Sequence, residues 1–332
     1  MKEVINKIKV LFNLEDYKLI KKEEHKNGRN IIYICTKNGE NKYVVRISPL
    51  EDRIEEDYLI ETEFVHYLSK NHAPVIDVIP SINGKYVECI NYGSSVLYVS
   101  MFTYAKGILL CDNGYKYRDG VSINEYHYNV GKTLGMIHKL SKSFKSNYNC
   151  ISYFDKYNKE YIDALIPNSY LELKNAIFER ISKFENLPIS NSVFGLIHFD
   201  FDDGNYFVDM NDGQITVFDF ENCMYCWYMY DLANLWIQGT GWFYNEKDYV
   251  KRMNNMVNYF NVILDGYESV NDIPEIMLEK LSLFIDMVLI ENIVDEFECS
   301  LRRKEEVVYE DIKDRVQSLI DNVVFIGDGV KY

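Results

Sequence analysis

Asp200, Asn205 and Asp219 set out a carboxylate, an amide five residues on, and a second carboxylate fourteen residues after that. These groups at this spacing suit phosphoryl transfer from a nucleotide. One Asp orients or deprotonates an attacking hydroxyl, while an Asn and a second Asp hold the magnesium ions that neutralise the phosphates. The local pattern brings the last two together. Tyr206-Phe207-Val208 reads as a short strand, Asn211-Asp212-Gly213 as a hairpin turn, and Ile215-Thr216-Val217-Phe218 as the returning strand. Asn205 precedes the first strand and Asp219 follows the second, so a hairpin carries both to its open end. A plain surface hairpin is the alternative. The agreement of His198, two Asp, the Asn, the turn and the apolar strands favours the chemical reading.

The elements that must position these groups change character along the chain. Residues 1–14 have helical periodicity, followed by strand-like runs at 17–22, 30–36 and 42–47, with turns at Gly28 and Asn38-Gly39. A helix is predicted over 55–70, and further strands over 75–79, 85–89 and 96–103. After Ala105-Lys106-Gly107 the pattern turns helical, at 123–142, 153–165, 169–184, 229–237, 247–264, 276–302 and 307–324. Residues 192–197 read as an apolar approach to the loop that carries Asp200. No repeat and no low-complexity linker interrupts this order.

At 332 residues and 47% hydrophobic content the chain can bury a large core or two smaller ones. The net charge of −15 excludes the basic footprint of a nucleic-acid binder and suits attraction of cationic small molecules. Seven cysteines, odd in number and scattered, show no disulfide framework and fit a reducing cytoplasm. Cys223 and Cys226 form a CxxC with no second pair or histidines nearby, which reads as structural. No signal-peptide core and no apolar run of about 18–20 residues is present, so neither secretion nor a membrane span is expected.

Taken together these features resemble the aminoglycoside phosphotransferase/choline kinase-like superfamily. The resemblance covers nearly the whole chain. It rests on Leu196-Ile197-His198-x-Asp200-x-x-x-Gly204-Asn205, Val217-Phe218-Asp219-Phe220-Glu221, Tyr230-Asp231-Leu232-Ala233 and Leu134-Gly135-Met136-Ile137-His138. The spacing His-x-Asp-x-x-x-x-Asn is that of kinase catalytic loops, and Asp219-Phe220-Glu221 stands where kinases carry Asp-Phe-Gly. The resemblance implies an α+β, bilobal, protein-kinase-like fold. A small β-rich, nucleotide-binding N-lobe (1–102) would join a larger, mainly helical C-lobe (108–332) through a hinge (103–107). It implies Asp200 as catalytic base, Asn205 and Asp219 as Mg²⁺ ligands, and ATP or GTP as phosphate donor. Arg46, in Tyr43-Val44-Val45-Arg46-Ile47, stands where kinases place a phosphate-binding Lys, and its bidentate fork serves the same end. Glu63 on the following helix is its expected ion-pair partner. Phe199 replaces the family's usual Gly, and Asp202-Asp203 replace His-Pro. In place of a GxGxxG loop stands His25-Lys26-Asn27-Gly28-Arg29-Asn30.

The expected acceptor is a hydroxyl on a small cationic molecule such as an aminoglycoside, an amino alcohol or a sugar-like metabolite. Asp202, Glu221, Glu291 and Asp295, with Glu298 beside them, are the candidate acids for its cation; solvated surface is the alternative. His198 reads as a brace of the loop, and Asp231 as the N-terminal cap of its helix. A regulatory pseudokinase and a protein Ser/Thr kinase are the competing functions. The intact Asp200, Asn205 and Asp219 disfavour the first. The short span between Phe220 and Asp231 leaves the second little room to dock a peptide.

Overall fold

The computed structural model describes residues 1–23, 29–49 and 53–329; the turn at Gly28 and most of the stretch His25 to Asn30 lie outside the described residues. By compactness the chain forms two units. The first comprises Met1–Lys116, Phe144–Cys150 and Asn205–Glu221, and the second Tyr117–Ser143, Ile151–Gly204 and Asn222–Tyr332.

The first unit begins with α1 (Lys2–Leu11), β1 (Lys18–Lys21), β2 (Ile31–Lys37), β3 (Glu40–Ser48), α2 (Glu55–Lys70), β4 (Val78–Ile79), β5 (Glu88–Tyr92) and β6 (Ser95–Thr103). The strands form one sheet in the order β1-β2-β3-β6-β4, with β5 also pairing β6, and every pairing is antiparallel. Asn38 and Gly39 turn β2 into β3 with φ of 54° and 81°, the left-handed pair that a tight hairpin favours. Side chains alternate across a strand. Val45 and Ile47 of β3, with Leu97, Val99 and Met101 of β6, share a core with Val4, Ile8 and Phe12 of α1. The intervening residues Arg46, Ser48, Ser100 and Phe102 point to the opposite face and are buried there. On α2 the buried side chains include Ile60, Glu61, Phe64, Val65 and Leu68.

In the second unit α3 (Ile123–Ser141), α4 (Tyr153–Lys156), α5 (Lys159–Leu165), α6 (Leu171–Phe184) and β7 (Phe194–Ile197) follow. The chain re-enters the first unit as the hairpin β8 (Tyr206–Val208) and β9 (Ile215–Val217). It returns with β10 (Met224–Trp227), α7 (Tyr228–Trp242), α8 (Tyr249–Glu268), α9 (Glu275–Leu278), α10 (Leu281–Arg303) and α11 (Tyr309–Asp321). A β-sheet N-terminal region followed by a helical C-terminal part is the fold class that the sequence implies. Three details differ. The helix predicted over 153–165 is two, because Asn158 breaks it and caps α5 by accepting from Tyr161 N at 2.9 Å. The helix predicted from 276 is α9 and then α10. Residues 194–197 are a strand, paired antiparallel with β10 from Phe194↔Trp227 to Ile197↔Met224. Among the described residues no helix is long and apolar enough to cross a membrane.

Two close approaches explain glycines that the site depends on. Gly107, with φ 108°, lies against the Val208 carbonyl, where a Cβ would overlap the backbone. Ile108 and Val208 then exchange both backbone hydrogen bonds, at 3.1 and 2.8 Å, which fixes the hairpin to the first unit. In the second unit α3 and α8 cross in backbone contact. A Cβ on Gly131 would overlap the Ile263 carbonyl, and one on Gly266 the Tyr128 carbonyl. Overpacking a tight contact costs about 1–3 kcal/mol or more. Gly131→Ala is therefore expected to lower the midpoint of thermal unfolding by several degrees; an unchanged midpoint would show that the two helices have room to spare.

Candidate active site

Asp200 sits at the end of β7 in the second unit, on a loop whose backbone hangs from one buried carboxylate. Asp231 Oδ2 accepts from His198 N at 3.1 Å, and Oδ1 from Phe199 N at 3.0 Å. His138 Nε2 lies 3.1 Å from the same Oδ2, and its Nδ1 lies 3.0 Å from Tyr267 Oη. Burial holds the His138 ring below the ordinary imidazole pKa, opposed by its bond to Asp231. Asp231 is thus more than the expected helix cap: Trp227 occupies the N-cap of α7, and the amides that Asp231 satisfies belong to the loop that carries Asp200. The signal was present in the sequence as the paired motifs around His138 and Asp231, but nothing in their spacing says that they meet.

Phe199 takes φ 69°, a left-handed conformation that costs a non-glycine residue roughly 1–2 kcal/mol. This is the physical reason for Gly at this position in the family pattern. Here the ring is stacked on Tyr230, with centroids 4.3 Å apart and planes 4° from parallel, and on Tyr157 at 6.0 Å. Stacking of this kind contributes about 0.5–1.5 kcal/mol beyond the buried area. The strain is offset in the same residue that creates it, and Asp200 follows directly. Asn222 Nδ2 approaches Asp200 Oδ2 at 3.4 Å.

In the first unit the hairpin has the form its sequence predicts. Tyr206 pairs with Val217 and Val208 with Ile215, and Phe218 N donates to Asn205 O at 2.9 Å. Asn205 and the Phe218-Asp219 segment are therefore neighbours. Asp219 has φ 63° and a side chain that is 46% exposed. An accessible carboxylate on a segment paired with that of an Asn suits a hard divalent cation such as Mg²⁺, which takes few protein ligands and keeps several waters. Among the described residues no group of three or more His, Cys, Asp or Glu gathers elsewhere as a metal cage.

Arg46 is not a surface cation. It is buried under α2, with its guanidinium 5.3 Å from the Phe102 ring. Its partner corrects the expectation: Glu61, not Glu63, receives both forks, Nη1 at 2.7 Å and Nη2 at 2.5 Å. Residues two apart on a helix point about 200° away from each other, so only one can face the sheet. Glu63 faces the other way and accepts from Ser146 Oγ and Asn147 Nδ2, both at 2.6 Å. Arg46 Nη1 also lies 3.8 Å from Asp219 and 3.9 Å from Glu221.

The acids expected to meet a cationic acceptor separate into distinct environments. Asp202 accepts from Gly204 N at 2.7 Å and shapes its own loop. Glu221 belongs to the Arg46 side, taking Asn30 Nδ2 at 2.5 Å. Asp295 is exposed and lies 3.8 Å from Arg302, while Glu298 accepts from Tyr161 Oη at 2.7 Å and approaches Arg302 and Lys156. Glu291 differs. Withdrawal from water pushes its carboxyl up to about 7; Asn292 Nδ2, at 2.9 Å, opposes the shift, and the negative charges of Asp295 and Asp200 add to it. Its negative charge adds to the rise that burial causes in the phenols of Tyr153, Tyr157 and Tyr230.

Known proteins resemble this chain in sequence and in fold. Residues 28–255 match the model of the phosphotransferase enzyme family. An amicoumacin kinase of Bacillus subtilis (strain 168) is 26% identical over 214 residues, 63% of this chain and 60% of that relative, so the match spans three fifths of the relative's length. Among solved structures, an amicoumacin kinase in complex with AMP-PNP, Ca²⁺ and Ami has a TM-score of 0.79 at 20% identity, covering 98% of this chain and 95% of that one. A microcompartment-associated aminopropanol kinase has a TM-score of 0.72 at 14% identity, covering 98% and 100%. With the family model matching well over half of its length, the chain belongs to the phosphotransferase enzyme family.

Proposed function

We propose that the protein transfers the terminal phosphoryl group of a magnesium-bound nucleoside triphosphate to a hydroxyl of a small, amine-bearing molecule in the cytoplasm. The observation that carries this reading is the hairpin, which sets Asn205 beside the Phe218-Asp219 segment five residues downstream of Asp200. The names of the relatives support it, since kinases of amicoumacin and of aminopropanol act on small molecules and aminopropanol pairs an amine with a hydroxyl.

In this reading Asp200 accepts or orients the proton of the acceptor hydroxyl. Asn205 Oδ1 and an Asp219 oxygen would hold Mg²⁺, which when bound neutralises the phosphate oxygens and the charge that develops on them. Arg46, kept rigid by its bidentate bond to Glu61, adds fixed positive potential on the phosphate side. The suspension of His198 N and Phe199 N from Asp231 holds Asp200 in place, so that little reorganisation accompanies the reaction. Glu291, whose buried setting disfavours its own charge, binds the acceptor's amine as a carboxylate partner. The seven cysteines, none of them in a disulfide, suit a reducing compartment.

A positioned carboxylate acting on the reacting proton is worth about 10²–10⁴ in rate. Asp200→Asn should lower kcat by that order while nucleotide binding persists, and a variant with near-normal turnover would remove Asp200 from the chemistry. Asp219→Ala should abolish the magnesium-dependent part of the nucleotide-induced thermal shift; retention of that part would place the metal on other residues. Glu291 is neutral below its pKa and ionised above it. The KM for the amine acceptor should therefore fall as pH rises from about 6 to about 8, across the raised pKa. Glu291→Gln should raise KM and flatten that profile, and a profile that survives the substitution would assign the amine to another carboxylate.

A further inference from the structure

We infer that Arg53 is a second phosphate-binding cation, held ready by Glu221, so that Glu221 serves the nucleotide rather than the acceptor. The inference rests on the phosphotransferase reading above and concerns residues of the first unit alone.

The charges around Arg46 do not suffice for a polyanion. Arg46 has given both forks to Glu61, and Asp219 and Glu221 lie within 4 Å of its Nη1. Against the three carboxylates of Glu61, Asp219 and Glu221 stands the one guanidinium of Arg46, so this cluster of four groups is net negative by two charges. Nucleotide phosphates approaching it need a divalent cation and, beyond that, a positive group whose hydrogen bonds are not already committed.

Arg53 has that character. Its Nη2 donates to the backbone carbonyl of Glu221 at 2.6 Å. Its Nη1 stands 3.6 Å from the Glu221 carboxylate, close enough for attraction and too far for a hydrogen bond. The flat face of the guanidinium covers the Tyr58 ring at 4.8 Å, and the side chain is 14% exposed. The group is therefore fixed by a carbonyl and a ring, with the Glu221 carboxylate near but beyond hydrogen-bond reach. A guanidinium carries five N–H donors, so donors remain for phosphate oxygens after the bond to the carbonyl.

Glu221 in turn does not depend on Arg53 for its place. Its carboxylate takes Asn30 Nδ2 at 2.5 Å, and Asn30 Oδ1 takes the Ser48 hydroxyl at 2.6 Å. The start of β2, the end of β3 and the segment after β9 are tied at this one carboxylate. Glu221 follows the metal-ligand candidate Asp219 by two residues, so the carbonyl that grips Arg53 belongs to the peptide segment that presents Asp219. A cation anchored there stands on the phosphate side of the hairpin.

The test is calorimetric titration, with magnesium, of the non-hydrolysable triphosphate, the diphosphate and the nucleoside of adenine, with the guanine series in parallel. A hydrogen bond to a charged group is worth about a tenfold to hundredfold change in affinity. Arg53→Ala should weaken triphosphate binding by about that factor while leaving the nucleoside unchanged. Arg53→Gln, which keeps a donor for the Glu221 carbonyl and removes the charge, should show the same loss if the charge is what matters. Triphosphate affinity that is unchanged in both variants, or a loss shared equally by the nucleoside, would overturn the assignment and leave Arg53 as a structural tie. Wild-type protein that binds no nucleotide of either series would overturn the phosphotransferase reading and this assignment with it.

Discussion

The loop that carries Asp200 depends on a single buried carboxylate. Asp231 has no solvent contact, yet its two oxygens face three donors: the amides of His198 and Phe199 and the ring of His138. Burying a carboxylate is costly unless its lone pairs are filled, and a hydrogen bond to a charged group contributes about 1.5–3 kcal/mol. Once filled, such a group has one arrangement that satisfies everything around it. The loop backbone is therefore held by an element of the helical core and not by its own turn geometry. Its rigidity is inherited from α7, where Leu232, Ala233 and Leu235 are wholly buried.

The same logic runs outward through α3 and α8. His138 reaches Asp231 with one ring nitrogen and Tyr267 with the other, and Tyr267 Oη also receives Asn271 Nδ2 at 2.8 Å. His138 and Tyr267 sit on two helices, α3 and α8, that touch backbone to backbone, because Gly131 and Gly266 present no side chain at the crossing. Cores are close-packed and transmit strain. A change in the spacing of α3 and α8 thus bears on the His138 ring, on Asp231, and through two amide bonds on the residue before Asp200. Far from the reacting atoms, a pair of glycines sets the height of the loop.

Much of this was legible in the sequence, and what was not has identifiable causes. The hairpin was readable because turn chemistry and short apolar strands are local signals: Asn211-Asp212-Gly213 with its flanks specifies the register that sets Asn205 beside Phe218. The helix over 55–70 was readable to the residue, yet its ion pair was assigned one position class away. Both Glu61 and Glu63 lie on that helix, and choosing between them requires knowing which stripe faces β3, a tertiary fact. Strand β10 was hidden because Cys223-Met224-Tyr225-Cys226 reads equally as a cysteine motif or as buried aromatics, and a four-residue strand acquires its identity only from β7. Asp231 was mistaken for a local cap for the same reason. Its partners lie 32 and 33 residues earlier in the chain, beyond the reach of any periodicity.

The charge of the chain carries a related lesson. A net charge of −15 suggests a surface field that gathers cations, and acids crowd the reactive segments in the sequence. In the folded chain most of those acids are answered individually. Asp202 binds its own loop, Glu221 Asn30 and Arg53, Asp295 lies beside Arg302, and Glu298 has a tyrosine and two cations. An acid with committed partners contributes little to recognition, however close it lies, because a new cation must displace an existing one. Glu291 is the exception, since its environment disfavours its own charge. A carboxylate that is uncomfortable when ionised and alone, and comfortable when ionised beside a cation, gains the most from binding an amine. The proposed preference for a charged acceptor thus rests on a single poorly compensated acid, and not on the sum of all the acids the chain contains.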